Sequence, residues 1–233
     1  PAERVKSGSM DTVLFFGFAG AYTALLIWAV ALATRHGWAT PANLPLLVLA
    51  GLVYDNLIIA SGRYIGEGPL LEALSHGRFW LHAFLTPLLV IWSWHAVRRA
   101  GVRWAARRWA ALAAVLITAA LIAFELITVT ASLHLAARVE YGVLSYSDSA
   151  PPPGPPPMVL VVAAALIFAG FVLWRRQRWI WLLVGAVLMA VGSGVPLPLE
   201  SGAVTNLFEL VLLVSVLATK AWQDAAELRG PTA

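Results

Sequence analysis

Three carboxylates, Asp55, Glu125 and Glu209, stand inside long runs of apolar residues, and His82 stands inside a fourth run. Carboxylates with an imidazole are the parts of an acid–base pair, or of an oxygen- and nitrogen-ligated metal site. An apolar surrounding disfavours the charged form of a carboxyl, which suits it to general-acid work, with the histidine as the complementary base. A metal ion here would be zinc or iron, held by Asp55, His82 and Glu125 with one position open to water. No His-Glu-x-x-His, Glu-x-x-His or His-x-x-x-His spacing reinforces that metal reading.

Polar residues accompany these four. Arg78, His82 and Thr86 recur at i, i+4 and i+8, one stripe of a helix, and Pro87 directly after them predicts a kink. Thr118, Glu125, Thr128 and Ser132 fall within about 80° on a helical wheel. Thr205, Asn206 and Glu209 form another polar face, and Asn56 stands beside Asp55. Upstream of Arg78, Glu67 sits between two glycines, and Glu72 and His76 are spaced i, i+4. We expect Asp55, His82, Glu125 and Glu209 to carry the chemistry, with Arg78 orienting an anionic group. Asn56, Asn206, Thr128, Glu67, Glu72 and His76 complete the expected substrate-binding set.

The elements that must position these residues follow from composition. Of 233 residues, 60% are apolar and 12% charged, and the mean hydropathy is +0.79. A soluble domain is nearer 45–50% apolar and about 25% charged, so an ordinary water-soluble core is excluded, as is disorder. Seven apolar segments, 11–34, 43–62, 78–97, 109–130, 158–174, 179–196 and 204–221, have the roughly 20-residue length that crosses a bilayer as helix. The expected fold is an all-α integral membrane protein of seven transmembrane helices in one domain over 10–224. Pro1–Ser9 reads as an expression scar ahead of Met10, and 225–233 as a cytoplasmic tail. No cleavable signal peptide is expected.

Loop charge sets the orientation. Arg35, the arginines of 98–108 and 175–178, Lys220 and Arg229 collect on one face, while Arg63, Arg78 and Arg138 stand on the other. The positive-inside rule places the basic face in the cytoplasm, with the N-terminus outside and the C-terminus inside, in a cell inner (plasma) membrane. Most tryptophans, among them Trp92, Trp94, Trp179 and Trp222, gather near the same face and read as an aromatic belt. Lys220 reads as an anchoring charge there, and the five arginines of 98–108 as topogenic. The segment Leu70–Ser75 reads as a short interfacial helix, Ser149–Pro157 as a stiff polyproline spacer, and Glu140 and Glu200 as solvated loop acids.

Several chemistries are disfavoured. The chain has no cysteine, so disulfides, thiolate metal sites and iron–sulfur clusters are out. Haem is disfavoured, because His82 and His95 lie roughly 140° apart on one helix. Retinal would require a lysine inside the seventh span, and no nucleotide-binding loop is present. Basic residues spread between apolar spans do not describe a nucleic-acid surface. The expected activity is that of a membrane-embedded enzyme whose partners are membrane lipids, acting on a lipid or isoprenoid-like substrate from the outer leaflet. The alternatives are a proton-coupled transporter or carrier, and a non-catalytic subunit of a membrane complex.

Overall fold

The computed structural model describes residues 2–140, 142–150, 156–194 and 202–229. The proline-rich stretch 151–155, Glu200, the end of the expected sixth span at 195–196, and 230–233 of the tail lie outside the described residues. The described residues form eight α-helices: α1 (Ala2–His36), α2 (Pro45–Ile65), α3 (Pro69–Leu85), α4 (Leu88–Arg99), α5 (Arg108–Thr128), α6 (Pro157–Gln177), α7 (Trp181–Gly194) and α8 (Gly202–Arg229). Among the described residues, six segments are long and apolar enough to cross a membrane: 11–36, 41–65, 69–99, 108–132, 157–177 and 202–229. A further apolar helix, α7, has 14 residues and is shorter than these six segments.

Proline and glycine set most of the boundaries. Proline opens α2, α3 and α6 at the first turn, where its missing N–H is not needed. The third expected span is two helices, α3 and α4, separated at Thr86-Pro87. Pro87 has no N–H to donate, so the helical ladder is interrupted there, and its own carbonyl accepts from the Val90 N–H at 3.0 Å and from the Thr118 hydroxyl of α5 at 3.3 Å. The segment Leu70–Ser75 is not a separate interfacial helix. It is the first part of α3, which runs without interruption from Pro69 into the membrane.

One feature was not foreseen in an otherwise all-α chain. Strands β1 (Leu135–Glu140) and β2 (Val143–Asp148) pair antiparallel in the loop after α5. Gly142 takes φ +79° at the turn, a conformation that favours glycine. The hairpin lies on α2 and α3, with Val143 and Tyr146 buried beneath it. The Gly68 N–H donates to the Tyr146 hydroxyl at 3.2 Å, and a Cβ on Gly62 of α2 would overlap the Leu144 carbonyl.

The helices form a ring. In order, α1, α2, α3 with α4, α6, α7 and α8 each pack on the next, and α8 closes back on α1. Helix α5 stands outside this ring, against α3 and α4. The core, including Leu49, Trp92, Leu166, Leu173, Val216 and Leu217, fills the interior toward the arginine-rich side. Small residues permit the closest approaches: a Cβ on Gly170 of α6 would come within 2.6 Å of the Leu183 backbone in α7. Backbone cannot yield as a side-chain tip can, so Gly170→Ala is expected to push α6 from α7 and destabilise the protein by about 1–3 kcal/mol. A denaturation midpoint in detergent equal to wild type would refute that reading.

The tryptophans are only partly a belt. Trp92 is buried, the Trp179 and Trp222 rings stack at 5.1 Å, and the Trp179 indole donates to the Thr219 hydroxyl at 2.9 Å. Trp94 donates to the Ala105 carbonyl at 2.9 Å. These indoles fasten helix ends and loops to one another, while Trp38, Trp109 and Trp181 remain exposed.

Candidate functional site

A cavity of about 150 Å³ lies inside the ring on the hairpin side. Asp55 enters it from α2, Arg78, His82 and Thr86 from α3 and its C-terminal cap, and Glu209 from α8. Its remaining wall is apolar, with Val162 and Leu166 from α6 and Met189 from α7. Helix geometry explains the meeting. Residues 78, 82 and 86 share one stripe of α3, and the ring turns that stripe toward the polar faces of α2 and α8.

The Arg78 guanidinium donates through Nε to Asp55 Oδ1 at 2.8 Å. The two charges thus compensate each other across α2 and α3, which removes much of the penalty each would carry alone. Asp55→Ala and Arg78→Ala are each expected to destabilise more than the double variant does relative to either single one. A double-mutant cycle should read a coupling of about 1–3 kcal/mol, and strict additivity would show that the pair contributes nothing. Glu209 differs, since among the described residues it forms no ion pair and no side-chain hydrogen bond. His82 Nδ1 and the Thr86 hydroxyl are hydrogen-bonded at 3.3 Å. His82 is exposed on the bundle surface as well as lining the cavity, so the cavity opens sideways at α3.

No known protein family, curated protein or solved structure matches this chain. The site is therefore read from its own chemistry.

Four expected residues, Asp55, Arg78, His82 and Glu209, are brought together, and the others are not. Glu125 is buried on α5, outside the ring, and its Oε2 has no hydrogen-bond partner among the described residues. Its helix faces α3 and α4 from the far side, so it does not reach the cavity. The polar stripe around it is satisfied locally: Thr128 donates to the Phe124 carbonyl and Ser132 to the Thr128 carbonyl. Asn56 is buried and donates to the Leu52 carbonyl of its own helix, and Asn206 does the same to Gly202. Glu67 lies exposed in the turn between α2 and α3, flanked by Gly66 at φ +84° and Gly68 at φ +152°. Glu72 and His76 lie half-buried in the first turns of α3, away from the cavity lining. The metal set Asp55, His82 and Glu125 is not assembled, and among the described residues no three His, Asp or Glu side chains are placed to share an ion.

A second polar centre was missed. On the arginine-rich side, Lys220 is 2% exposed and its Nζ donates to Asp224 Oδ2 at 2.5 Å. Arg99 Nη2 donates to Asp224 Oδ1 at 2.7 Å, and Arg99 Nε donates to Glu227 at 2.8 Å. Gln223 donates to the Ala96 carbonyl and to Gln177, which in turn donates to the Arg99 carbonyl. Lys220 is thus no anchoring charge at the lipid surface, and Arg99 is not simply a topogenic loop residue. The signal that was available is the Lys220/Asp224 spacing of four. Hydropathy ends the last span at 221, whereas α8 continues to Arg229 and carries Asp224 within it.

Proposed function

We propose that this chain is a multi-pass membrane enzyme acting on one end of a lipid or isoprenoid-like substrate. The observation that carries the reading is a small, laterally open, mostly apolar cavity with Glu209 unpaired beside a compensated Asp55–Arg78 pair. Pockets for whole drug-sized ligands measure about 300–1,000 Å³. One of about 150 Å³ fits the polar end of an amphiphile whose tail stays among the lipids. Arg78 orients an anionic group on that end, Asp55 holds Arg78, and Glu209 with His82 supplies and accepts the proton. In this reading α7 also crosses the membrane, as the sixth of seven spans, the hairpin faces outward and the C-terminus is cytoplasmic, in the inner (plasma) membrane. The concentration of arginine around 98–108 and 175–178 supports that orientation.

The test is comparative lipid analysis of membranes producing the wild-type chain or Glu209→Gln at matched levels. A lipid species that shifts with the wild type and not with the variant supports the enzyme, and identical profiles overturn it.

A second reading has one observation in its favour. Glu209 and Lys220 lie about 20° apart on the same face of α8 and about 16 Å apart along it. Two polar cavities therefore share one helix face, separated by the buried Leu213 and Val216. A proton-coupled carrier would use that arrangement. Proton uptake into vesicles that depends on Glu209, without any change in lipid composition, would favour it over the enzyme.

A further inference from the structure

The cavity on the arginine-rich side is independent of the site just described and holds about 350 Å³. Three cations, Arg98, Arg99 and Lys220, line it with two carboxylates, Asp224 and Glu227. The pairing leaves a surplus. Both oxygens of Asp224 are taken, one by Lys220 and one by Arg99, and Arg99 also reaches Glu227. Arg98 makes no ion pair among the described residues, and its guanidinium lies 5.9 Å from the Trp94 ring centre.

Two histidines, His36 and His95, also line this cavity. His36 Nδ1 lies 3.1 Å from the Leu32 carbonyl, a contact in which it must be the donor. Thr40 Oγ1 accepts from the Ala42 N–H and lies 3.3 Å from His95 Nε2. His95 Nδ1 is a buried atom with no hydrogen-bond partner among the described residues. Three cations against two carboxylates, with Arg98 in no ion pair among the described residues, leave the cavity with a net positive charge.

We infer that this cavity binds a phosphate group, with Arg98 as its principal cation, in the space enclosed by α1, α4 and α8. Arginine forms bidentate, charge-assisted hydrogen bonds to phosphate oxygens, and basic pockets between membrane helices hold phospholipid head groups in this way. The compensated Lys220–Asp224–Arg99 network is the rigid floor of the site. Arg98 is held against Trp94 at its rim. The phosphate comes either from a phospholipid head group or from a soluble phosphate.

The full chain in phosphatidylcholine nanodiscs separates the two sources. Inorganic phosphate titrated at constant ionic strength, with chloride as the reference salt, reads the soluble source by calorimetry. Native mass spectrometry after adding phosphatidylglycerol reads the lipid source. Binding in either arm that weakens about tenfold in Arg98→Ala, and not in Arg103→Ala, supports the site and names its source. Arg103 is exposed and does not line the cavity, so it controls for loss of net charge. No binding in either arm, or binding that Arg98→Ala leaves unchanged, overturns it. Arg98 is itself exposed, which leaves the variant's fold intact, and an unchanged far-ultraviolet circular dichroism spectrum checks this.

Discussion

Replacing Asp224 by alanine is expected to cost about 3–5 kcal/mol of stability, more than any other single change considered for this fold. The carboxylate neutralises Lys220, which is 2% exposed, and shares Arg99, whose side chain is 9% exposed. Removing it leaves the buried Lys220 ammonium without the carboxylate that pairs with it. Most of the penalty comes from the stranded partner, not from the lost bond itself. A double variant, Lys220→Met with Asp224→Leu, should therefore recover much of the loss, since Arg99 keeps Glu227. Unfolding titrations in mixed micelles measure both. A single variant as stable as wild type would mean that water in the adjoining cavity already screens the lysine.

The second large effect concerns turnover. Under the proposed enzymatic reading, Glu209→Gln and His82→Ala should each lower the rate by about 10²–10⁴-fold, the usual contribution of a positioned acid or base. Stability should change little in either variant. Glu209 has no salt-bridge partner to strand, and His82 is exposed on the bundle surface. Asp55→Asn has a different signature, because it loosens Arg78 and so alters substrate affinity together with stability. Glu125→Gln supplies the contrast. Its carboxyl lies on α5 outside the ring, so the rate should hold while folding or packing of α5 responds. A loss of rate in Glu125→Gln equal to that in Glu209→Gln would show that the active centre is not the cavity inside the ring.

Much of this architecture is legible as local chemistry. Apolar runs of membrane-crossing length locate six helical segments, and Pro87 marks the break between α3 and α4. Depth can be inferred from position along each run, and it puts Asp55, His82, Glu125 and Glu209 at one level. Depth does not fix azimuth relative to neighbours. Glu125 stands on a helix outside the ring, and nothing within its own run distinguishes a ring member from an outlier. The hairpin was hidden for another reason: its strands are six residues each, and their burial comes from resting on α2 and α3. The arginine-side network was concealed by the habit of ending a membrane helix where apolar residues end. Lys220 and Asp224 neutralise each other one turn apart, so α8 carries charge inward without the usual penalty.

The separation of Arg99 from Asp224 is 125 residues along the chain. At a synthesis rate of about 5–20 residues per second, α4 precedes its counter-charges by roughly 6–25 s. During that interval Arg99 stands without either carboxylate, and the ring lacks the helix that closes it. Helix α8 is thus the keystone of biogenesis, the segment whose arrival converts an open arc of inserted helices into a finished bundle. Membrane chaperones and quality-control proteases have their natural window on this chain before that helix docks.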